Sequence, residues 1–353
     1  MVGIGRSLGV GSWPNVGAVR KVAVIGAGSW GTAVAIIASR NAPTTLWARR
    51  DDLAEQIETE HRNPSYLPDI ALPEDLRGTS SIEEAVTDAE VVVMGVPSHG
   101  FRDVLARAAA FIGGGVPIVS LTKGVEQGSL KRMTEVVAEL VPASPSGVLT
   151  GPNLAKEILA GYPAASVVAL ADTGVCADLQ RLFSTDAFRV YTNPDVVGCE
   201  VAGALKNVMA IASGMADGMG FGDNTRAALI TRGLAELTRL GVALGGQPLT
   251  FSGLAGMGDL VATCISRQSR NRYVGEELGK GRTIEDITAE MNMVAEGVKT
   301  SKAVVDLAAR HGIEMPIAEQ VVAVLYEGKK AADVIPALMQ RQSKPELHGI
   351  APG

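Results

Sequence analysis

A glycine-rich turn between a short apolar run and a segment with helical spacing restricts the fold of this chain most. The run KVAVI at 21–25 leads into Gly26, Gly28 and Gly31, spaced as G-x-G-x-x-G, and residues 32–40 follow with helical spacing. The order strand, turn, helix predicts a dinucleotide-binding unit in which Gly26 allows the tight turn and Gly28 lets a pyrophosphate approach the backbone. Gly31 would let the helix pack on the strand, so that the N-terminus of the helix faces the phosphates.

Further apolar runs recur at the spacing of an α/β fold, at residues 44–48, 91–96, 116–121, 147–150, 165–170 and 188–192. In an open parallel sheet the loops that follow the strands share one edge, so loops 97–99, 122–124 and 151–153 should line one cleft. From residue 196 onward the patterns are helical. The predicted fold class is therefore an α/β N-terminal Rossmann-type domain with a second, all-helical C-terminal domain.

The same change of pattern predicts the domain boundaries. We expect a flexible leader at 1–19, a dinucleotide-binding domain at 20–195, a helical substrate and catalytic domain at 196–341 and a loose tail at 342–353. The leader contains glycines but lacks the apolar core of a secretory signal.

Composition narrows the choice of partners. A net charge of −6 gives no long-range attraction to nucleic acid or to acidic membranes, so a small molecule is the expected partner. The three cysteines are far apart and contain no C-x-x-C pair, which argues against disulfides and structural zinc. No uncharged apolar run approaches the length of a membrane span. We therefore expect a cytoplasmic protein without a metal site or stable membrane insertion.

The residues after the second predicted strand bear on the cofactor. An NAD enzyme would place an acidic residue there, on the ribose 2′-hydroxyl, whereas this chain has Arg49 and Arg50. Guanidinium groups suit a 2′-phosphate, so NADP(H) is favoured and NAD(H) remains possible. The alternative is that both arginines are simply solvated.

One basic residue, Lys206, stands within the otherwise small and apolar run 196–216 and is followed by Asn207. An ammonium removed from water needs a partner, which a substrate could supply. Alternatively, the side chain covers apolar surface and its charge reaches solvent.

Two further stretches of the second half carry polar groups of interest. Gly253–Val261 is predicted to be a glycine-rich turn that presents Asp259. Ser269, Arg270 and Asn271 open a predicted helix, where backbone N–H groups and a guanidinium together form an anion site. In the first half, Lys123 follows a strand at the cleft edge, where it could meet a phosphate or only end the strand in water.

Eight motifs in this order resemble the bacterial type of NAD(P)-dependent glycerol-3-phosphate dehydrogenase, from Lys21 to about Glu346. They are GAGSWG, VPSH, SLTKG, GPNLAKEI, AGALKNVMAIASGMADGMGFGDNT, LAGMGDL, SRNRYVG and AEGVKT. The resemblance implies reversible reduction of dihydroxyacetone phosphate to sn-glycerol 3-phosphate, the backbone of glycerophospholipids. It also implies a homodimer with contacts through the helical domain.

The resemblance further assigns roles to residues that match the motifs. It implies cofactor contacts by Gly26, Gly28, Ser29, Trp30, Gly31, Arg49, Arg50, Lys123, Ala155, Arg270, Val294 and Glu296. It implies substrate contacts by Lys123, Gly151, Asn153, Lys206, Asp259, Ser269, Arg270 and Asn271. Lys206 would act as the general acid–base with Asp259 beside it, and residues 269–271 would hold the phosphate. Many members have Ser or Thr in place of Asn153.

Two other functional interpretations of the sequence remain open at this point. One is a β-hydroxyacid or sugar-acid dehydrogenase of the same two-domain architecture, although such enzymes tend to place the lysine and asparagine one helical turn apart. The other is an NADP-sensing or scaffold protein that has kept the fold without turnover, which the set Lys123, Lys206, Asp259 and Arg270 disfavours.

Overall fold

The computed structural model of the protein describes residues 19–291, 295–346, 348 and 349. The predicted leader, apart from Val19, and the predicted cofactor contact Val294 lie outside these residues, and the predicted tail is described only in part. Within the described ranges the chain forms ten strands. They are β1 Val22–Ile25, β2 Thr44–Trp47, β3 Arg62–Asn63, β4 Leu67–Ala71, β5 Arg77–Thr79, β6 Val91–Met94, β7 Ile118–Ser120, β8 Ser146–Thr150, β9 Ala164–Leu170 and β10 Phe188–Asn193.

The α-helices of the first half alternate with these strands. They are α1 Ser29–Ser39, α2 Asp51–Thr59, α3 Ile82–Val86, α4 Ser98–Ala109, α5 Met133–Leu140, α6 Ala155–Leu159 and α7 Thr173–Phe183. The helices of the second half are α8 Val196–Gly218, α9 Asp223–Ala243, α10 Pro248–Phe251, α11 Asp259–Ile265, α12 Arg270–Gly279, α13 Ile284–Glu290, α14 Glu296–Arg310, α15 Pro316–Tyr326 and α16 Val334–Met339. A π-helical turn, Leu254–Gly258, precedes α11, and a 3₁₀ turn, Ala331–Asp333, precedes α16.

Eight strands form one sheet in the order β10-β9-β8-β7-β6-β1-β2-β5. The glycine-rich turn leaves the sheet at its centre, because β1 lies between β2 and β6 and runs parallel to both. Apolar clusters cover the two faces, one containing Val24 and Leu46 and the other Ile25 and Met94. This explains why the central strands β1 and β6 are continuous apolar runs instead of alternating ones. The predicted fold class, a Rossmann-type sheet domain followed by helices, is confirmed.

One pair of neighbouring strands departs from the parallel arrangement, since β9 runs antiparallel to β8. The connection between them carries only the five-residue helix α6, which is about 7.5 Å long. It is too short to return the chain along the five-residue strand β8, which is about 17 Å long. As a result, Thr150 at the end of β8 pairs with Val167 of β9, and Ser166 lies beside the loop that leaves β8.

Helix α8 is the centre of the helical half, and every residue from Gly198 to Ala216 is buried. Small residues let it pack closely on α12. A Cβ on Gly214 would overlap the carbonyl of Arg272, and a Cβ on Gly275 would overlap that of Ile211. The two helices therefore touch along their backbones, which fixes the start of α12 relative to the middle of α8.

Two segments have the length and hydropathy of a membrane span, α8 with a mean hydropathy of 1.3 and Pro248–Ile265 with 1.2. The most apolar stretch of α8 is 89% buried inside the protein. Its apolar surface is thus occupied by neighbouring elements of the same chain.

The structure also corrects the prediction for Gly253–Val261. This stretch is not a glycine-rich turn, because it forms the π-helical turn and then the start of α11. Gly256 in this stretch serves close packing, because a Cβ there would overlap the carbonyl of Phe251. The sequence analysis also missed β3, β4 and β5, which are short and lie in a polar, proline-containing stretch.

Candidate active site

The candidate site is centred on Asp259, whose carboxylate bridges two lysines. Asp259 Oδ1 lies 2.7 Å from Lys206 Nζ, and Asp259 Oδ2 lies 2.6 Å from Lys123 Nζ. The side chains of Asp259, Lys206 and Lys123 are only 2%, 7% and 14% exposed. Lys206 therefore does not carry its charge to solvent. Lys123 comes from the loop after β7 and the other two from helices, so the cluster joins the two halves of the molecule.

Thr263, which the sequence analysis did not single out, completes this cluster. Lys206 Nζ donates to Thr263 Oγ1 at 2.5 Å, and the threonine hydroxyl donates to the backbone carbonyl of Asp259 at 2.6 Å. Thr263 lies one helical turn after Asp259 on α11, so both face Lys206. If Gly253–Val261 had been predicted to lead into a helix, the four-residue spacing between Asp259 and Thr263 would have placed both on the same helix face.

The surroundings of Lys123 change its pKa. Burial, together with the nearby Lys206 ammonium, lowers the pKa of Lys123 to about 8, although Asp259 acts in the opposite direction. With both lysines protonated, the cluster holds two positive charges and one negative charge. This excess of one positive charge suits an anionic ligand or an oxygen that becomes negative during a reaction.

The loop after β8 packs directly against this cluster, as predicted for the cleft. Lys123 Nζ donates to the carbonyl of Gly151 at 3.0 Å. Gly151 has φ +141°, and a Cβ there would lie 3.2 Å from Cα of Ser166. Asn153 donates through Nδ2 to Ser166 Oγ at 3.1 Å. The structure thus brings Gly151 to Lys123, and Asn153 lies two residues further along the same loop, held by Ser166.

Asn271 lies at the site, but protein groups engage its side chain. Its Nδ2 donates to Asn207 Oδ1 at 2.9 Å, and its Oδ1 accepts from the backbone N–H of Gly297 at 2.9 Å. Asn207 in turn donates to the carbonyl of Lys123 at 3.4 Å. The two asparagines therefore link the Lys123 loop to the start of α14, and Asn207 is a site residue that the sequence analysis left unassigned.

The neighbours of Asn271 have different surroundings. Ser269 is buried and caps α12, since its hydroxyl accepts from the backbone N–H of Arg272 at 3.2 Å. Arg272 braces the helices, with Nη2 lying 2.7 Å from Asp217 Oδ2 on α8. Arg270 is exposed at the N-terminus of α12, so its guanidinium is available to a ligand.

Glu296 is the first residue of α14, and three cationic side chains, Arg270, Lys206 and Lys123, are near enough to influence its pKa. Burial raises the pKa of Glu296, whereas the charges of Arg270, Lys206 and Lys123 and the backbone of Ser98 act to lower it. The predicted cofactor residue thus lies beside the lysine cluster and Arg270.

The glycine-rich turn has the geometry that a dinucleotide requires. Gly26 has φ +120°, and a Cβ there would lie 2.6 Å from the carbonyl of Gly95; a Cβ on Gly31 would overlap the carbonyl of Gly26. Packing therefore explains those two glycines. A Cβ on Gly28, in contrast, would meet nothing within 4 Å among the described residues. The space in front of Gly28 and the N-terminus of α1 is thus open to a pyrophosphate.

Contacts with other parts of the sheet domain fix the glycine-rich turn and the side chains that follow it. Asn63, which the sequence analysis did not single out, donates through Nδ2 to the carbonyl of Ala27 at 2.9 Å and to Thr32 Oγ1 at 2.8 Å. Ser29 donates to the carbonyl of Tyr66 at 3.3 Å. Trp30 packs edge-on against a phenylalanine ring of β10.

Arg49 and Arg50 are both exposed at the end of β2, but they differ in their contacts. Arg50 makes a two-point ion pair with Asp52, from Nε to Oδ1 at 3.0 Å and from Nη2 to Oδ2 at 2.9 Å. The pKa of His99 is lowered mainly by burial and further by the positive charges of Lys299 and Arg49, so Arg49 lies near His99. Arg49 thus lies in the neighbourhood of His99 on α4, whereas Arg50 is paired with Asp52 on α2. Ala155, another predicted cofactor residue, begins α6.

The fold and this site define a class: a two-domain, nicotinamide-dinucleotide-dependent dehydrogenase with a lysine–carboxylate cluster where its domains meet. No group of three or more His, Cys, Asp or Glu suited to a metal ion occurs in the described part of the chain.

Comparison with known proteins identifies the family. Residues 21–176 match the N-terminal part, and residues 195–336 the C-terminal part, of the NAD-dependent glycerol-3-phosphate dehydrogenases. The chain is 57% identical over 328 residues to "Glycerol-3-phosphate dehydrogenase [NAD(P)+] 2" of Sphingopyxis alaskensis, covering 93% of this chain and 98% of the relative. It is 51% identical over 330 residues to "Glycerol-3-phosphate dehydrogenase [NAD(P)+]" of Mycobacterium avium, covering 93% and 97%.

A solved structure agrees with these matches. The crystal structure of glycerol-3-phosphate dehydrogenase from Coxiella burnetii superposes with a TM-score of 0.89 at 37% identity, covering 92% of this chain and all of that one. The chain therefore belongs to the NAD(P)-dependent glycerol-3-phosphate dehydrogenase family, and the resemblance seen in the sequence is confirmed. The β-hydroxyacid alternative is not favoured.

Proposed function

We propose that this protein reduces dihydroxyacetone phosphate reversibly to sn-glycerol 3-phosphate with a nicotinamide dinucleotide, and so supplies the backbone of glycerophospholipids. The observation that carries the proposal is the buried cluster of Lys123, Asp259 and Lys206 beside Glu296 and the open glycine-rich turn. It provides a proton donor and an excess of positive charge next to the place where a dinucleotide would end.

Lys206 acts as the general acid in this proposal. A bound reduced nicotinamide supplies the hydride that forms the new C–H bond at C2. As the C2–O2 π bond breaks, O2 gains negative charge, and Lys206 Nζ gives it a proton to form the alcohol. The neutral amine then regains a proton from water. In the oxidation direction, the neutral amine takes the proton from the alcohol.

Asp259 and Thr263 keep Lys206 in place during this step. The carboxylate at 2.7 Å and the hydroxyl at 2.5 Å fix two of the directions in which the ammonium donates, which leaves one N–H for the substrate. Lys123 adds a second positive charge that stabilises the negative oxygen. Gly151 and Asn153 line the same space from the loop after β8.

The phosphate of the substrate binds at the N-terminus of α12 in this scheme. Arg270 supplies an exposed guanidinium there, while Ser269 and Asn271 hold the start of the helix so that its backbone N–H groups face the anion. Arg270 and Glu296 also face the cofactor, together with Lys123, Ala155 and the turn Gly26–Gly31. The side chains of Asn271 and Ser269 thus position this anion site.

The assignment is tested by spectrophotometric assay with the purified protein. We expect NADPH oxidation with dihydroxyacetone phosphate, and no NADP⁺ reduction with 3-hydroxyisobutyrate. Turnover of the hydroxyacid without turnover of the triose phosphate would overturn the proposal in favour of the β-hydroxyacid dehydrogenase reading.

We also propose that NADP(H) is preferred and that Arg49 is the main reason. The Arg50 guanidinium is engaged by Asp52, whereas Arg49 at the same sheet edge is exposed and lies near His99, so we expect it to meet a 2′-phosphate. Arg49→Ala should lower the ratio of kcat/KM for NADPH to that for NADH about ten- to hundredfold, since a charge-assisted hydrogen bond is worth about 1.5–3 kcal/mol. Arg50→Ala is the matched control and should change the ratio less. An unchanged ratio in both variants would remove the basis for the preference.

The remaining proposals concern the state of the protein in the cell. A homodimer with contacts through the helical domain is expected from the family resemblance, and a cytoplasmic location from the composition of the chain. Sedimentation equilibrium checks the first expectation, and a mass corresponding to one chain across the micromolar range would contradict it.

A further inference from the structure

Glu200 is a buried carboxylate on α8 that the proposed mechanism does not use. Its side chain is only 5% exposed. Oε2 accepts from Arg132 Nη1 at 2.8 Å and from the hydroxyl of Thr134, and Oε1 accepts from the backbone N–H of Thr134 at 2.9 Å. Arg132 and Thr134 lie at the start of α5 in the sheet domain. One carboxylate of the helical half thus holds the N-terminus of a sheet-domain helix by three hydrogen bonds.

Glu200 also begins the face of α8 that lies against the sheet domain. Glu200, Gly203 and Asn207 share this face, because they are spaced i, i+3 and i+7 along the helix. A Cβ on Gly203 would lie 3.3 Å from Thr150 Oγ1 and 3.4 Å from Lys123 Cγ. Asn207 Nδ2 donates to the carbonyl of Lys123 at 3.4 Å, which is long for a hydrogen bond. Among these three residues, Glu200 therefore makes the strongest polar contact with the sheet domain.

The same carboxylate holds the far end of the loop that carries Lys123. The two arms of this loop pair where Val125 meets Arg132 in an antiparallel bridge. Val125 and Leu130 are buried in the apolar cluster of the helical half. Lys123 lies two residues before one side of the bridge, and Glu200 binds the other side. A displacement of Arg132 would therefore reach Lys123 through the bridge.

Resting on the proposed function, we infer that Glu200 is a positioning residue that holds the proton donor Lys206 at its working distance from Lys123. It fixes α8, which carries Lys206 about 9 Å further along the helix axis. Through Arg132 it also fixes the loop that carries Lys123. Proton transfer depends steeply on distance, and a displacement of about 1 Å can cost on the order of a hundredfold in rate. Glu200 thus contributes to turnover from the boundary between the two halves.

The test replaces Glu200 by glutamine, which has nearly the same shape. Only one terminal atom of glutamine can accept, so Glu200→Gln loses at least one of the three hydrogen bonds as well as the charge that faces Arg132. We expect kcat for dihydroxyacetone phosphate to fall about tenfold to hundredfold. The Kd for NADPH, measured by titration of its fluorescence, should change less than about threefold, because the glycine-rich turn is untouched.

A second background separates positioning from general support of the fold. Lys206→Ala removes the group that Glu200 positions, so adding Glu200→Gln to Lys206→Ala should lower kcat less than about threefold further. A merely structural loss would multiply in both backgrounds. A further loss of tenfold or more in the double variant would overturn the inference.

Glu236 is the matched control, a buried carboxylate on α9 that caps α15 within the helical half. It accepts from the backbone N–H groups of Ile317 at 2.7 Å and Ala318 at 3.3 Å. Glu236→Gln should lower the melting temperature, as Glu200→Gln does, but change kcat less than about threefold at a temperature at which the protein is folded. Equal losses of kcat in the two folded variants would overturn the positioning role.

Thr134→Val covers the case in which Glu200→Gln does not fold. It removes one of the three hydrogen bonds and leaves the ion pair with Arg132, so kcat should fall about threefold to tenfold. Wild-type kcat in a folded Glu200→Gln or Thr134→Val protein would overturn the inference while the proposed function stands. Failure of the wild-type protein to reduce dihydroxyacetone phosphate would overturn the proposed function and the positioning role with it.

Discussion

The two lysines that share Asp259 differ in how the fold holds them. Lys206 lies in the buried stretch Gly198–Ala216 of α8, and its ammonium is fixed by both Asp259 and Thr263. Lys123 lies in a loop, has about twice the side-chain exposure, and meets Asp259 and a backbone carbonyl. A helix holds a charged side chain rigidly, whereas a loop after a strand lets the side chain adjust when a ligand binds. The structure therefore suits Lys206 to proton transfer and Lys123 to charge stabilisation.

Removing Lys206 should have the largest effect. Lys206→Ala is expected to lower kcat about 10³-fold, because the proton would have to come from water, while NADPH still binds with nearly unchanged affinity. Steady-state kinetics and titration of NADPH fluorescence measure the two quantities. Lys330→Ala, at an exposed position of the helical half, is the control. A loss of less than tenfold in Lys206→Ala would assign the acid role elsewhere, and Lys123 would be the first residue to examine.

Replacing Asp259 should affect both lysines, because its carboxylate is the counter-charge of each. In Asp259→Asn, two ammonium groups remain buried without a counter-charge, so the free energy of unfolding should fall by about 3 kcal/mol, along with most turnover. Denaturation in urea measures the stability change.

Asp217 offers a matched control for that variant. It is equally placed between two cations, 2.7 Å from both Arg226 and Arg272, but lies away from the reacting groups. Asp217→Asn should lose stability and keep most of its turnover when folded. If the Asp259 and Asp217 variants lost activity equally, the loss in Asp259→Asn would reflect packing and not the lysine pair.

The smallest expected effect concerns pH and tests Lys123 alone. Its pKa is lowered from 10.5 to about 8, so the protonated fraction, and with it kcat/KM for dihydroxyacetone phosphate, should fall as the pH rises above about 8. Between pH 8 and 10.5 the unfolded chain binds the proton that the folded chain has lost, so this group makes the free energy of unfolding rise with pH.

A comparison with arginine isolates this titration. Lys123→Arg keeps its charge over the whole range, so its kcat/KM should lack the decline above about pH 8, even if its maximum is lower. Profiles measured at saturating NADPH from pH 6 to 10 decide the matter. A decline at the same pH in both proteins would assign it to another group.

Much of the site could be predicted from the sequence because it lies on motifs with a fixed local geometry. The glycine spacing at 26–31 predicted the turn that the structure shows, and the lone lysine in an apolar helix predicted a buried charge that needs a partner. Thr263, Asn207 and Asn63 were missed. Asn207 and Asn63 hydrogen-bond to residues that are distant in the sequence. Thr263 lies on a helix that the sequence did not predict, because glycines at 254–258 precede it.

By itself, the sequence determined the fold class and the family, since strand and helix periods and the spacing of glycines follow from local backbone sterics. Only the tertiary structure decided which charges meet: it put Lys123 and Lys206 on one carboxylate, turned Arg50 toward Asp52, and reversed β9 so that Ser166 reaches Asn153. Pairing of this kind depends on how buried helices and strands from separate parts of the chain pack, and that packing has no local signature in the order of residues.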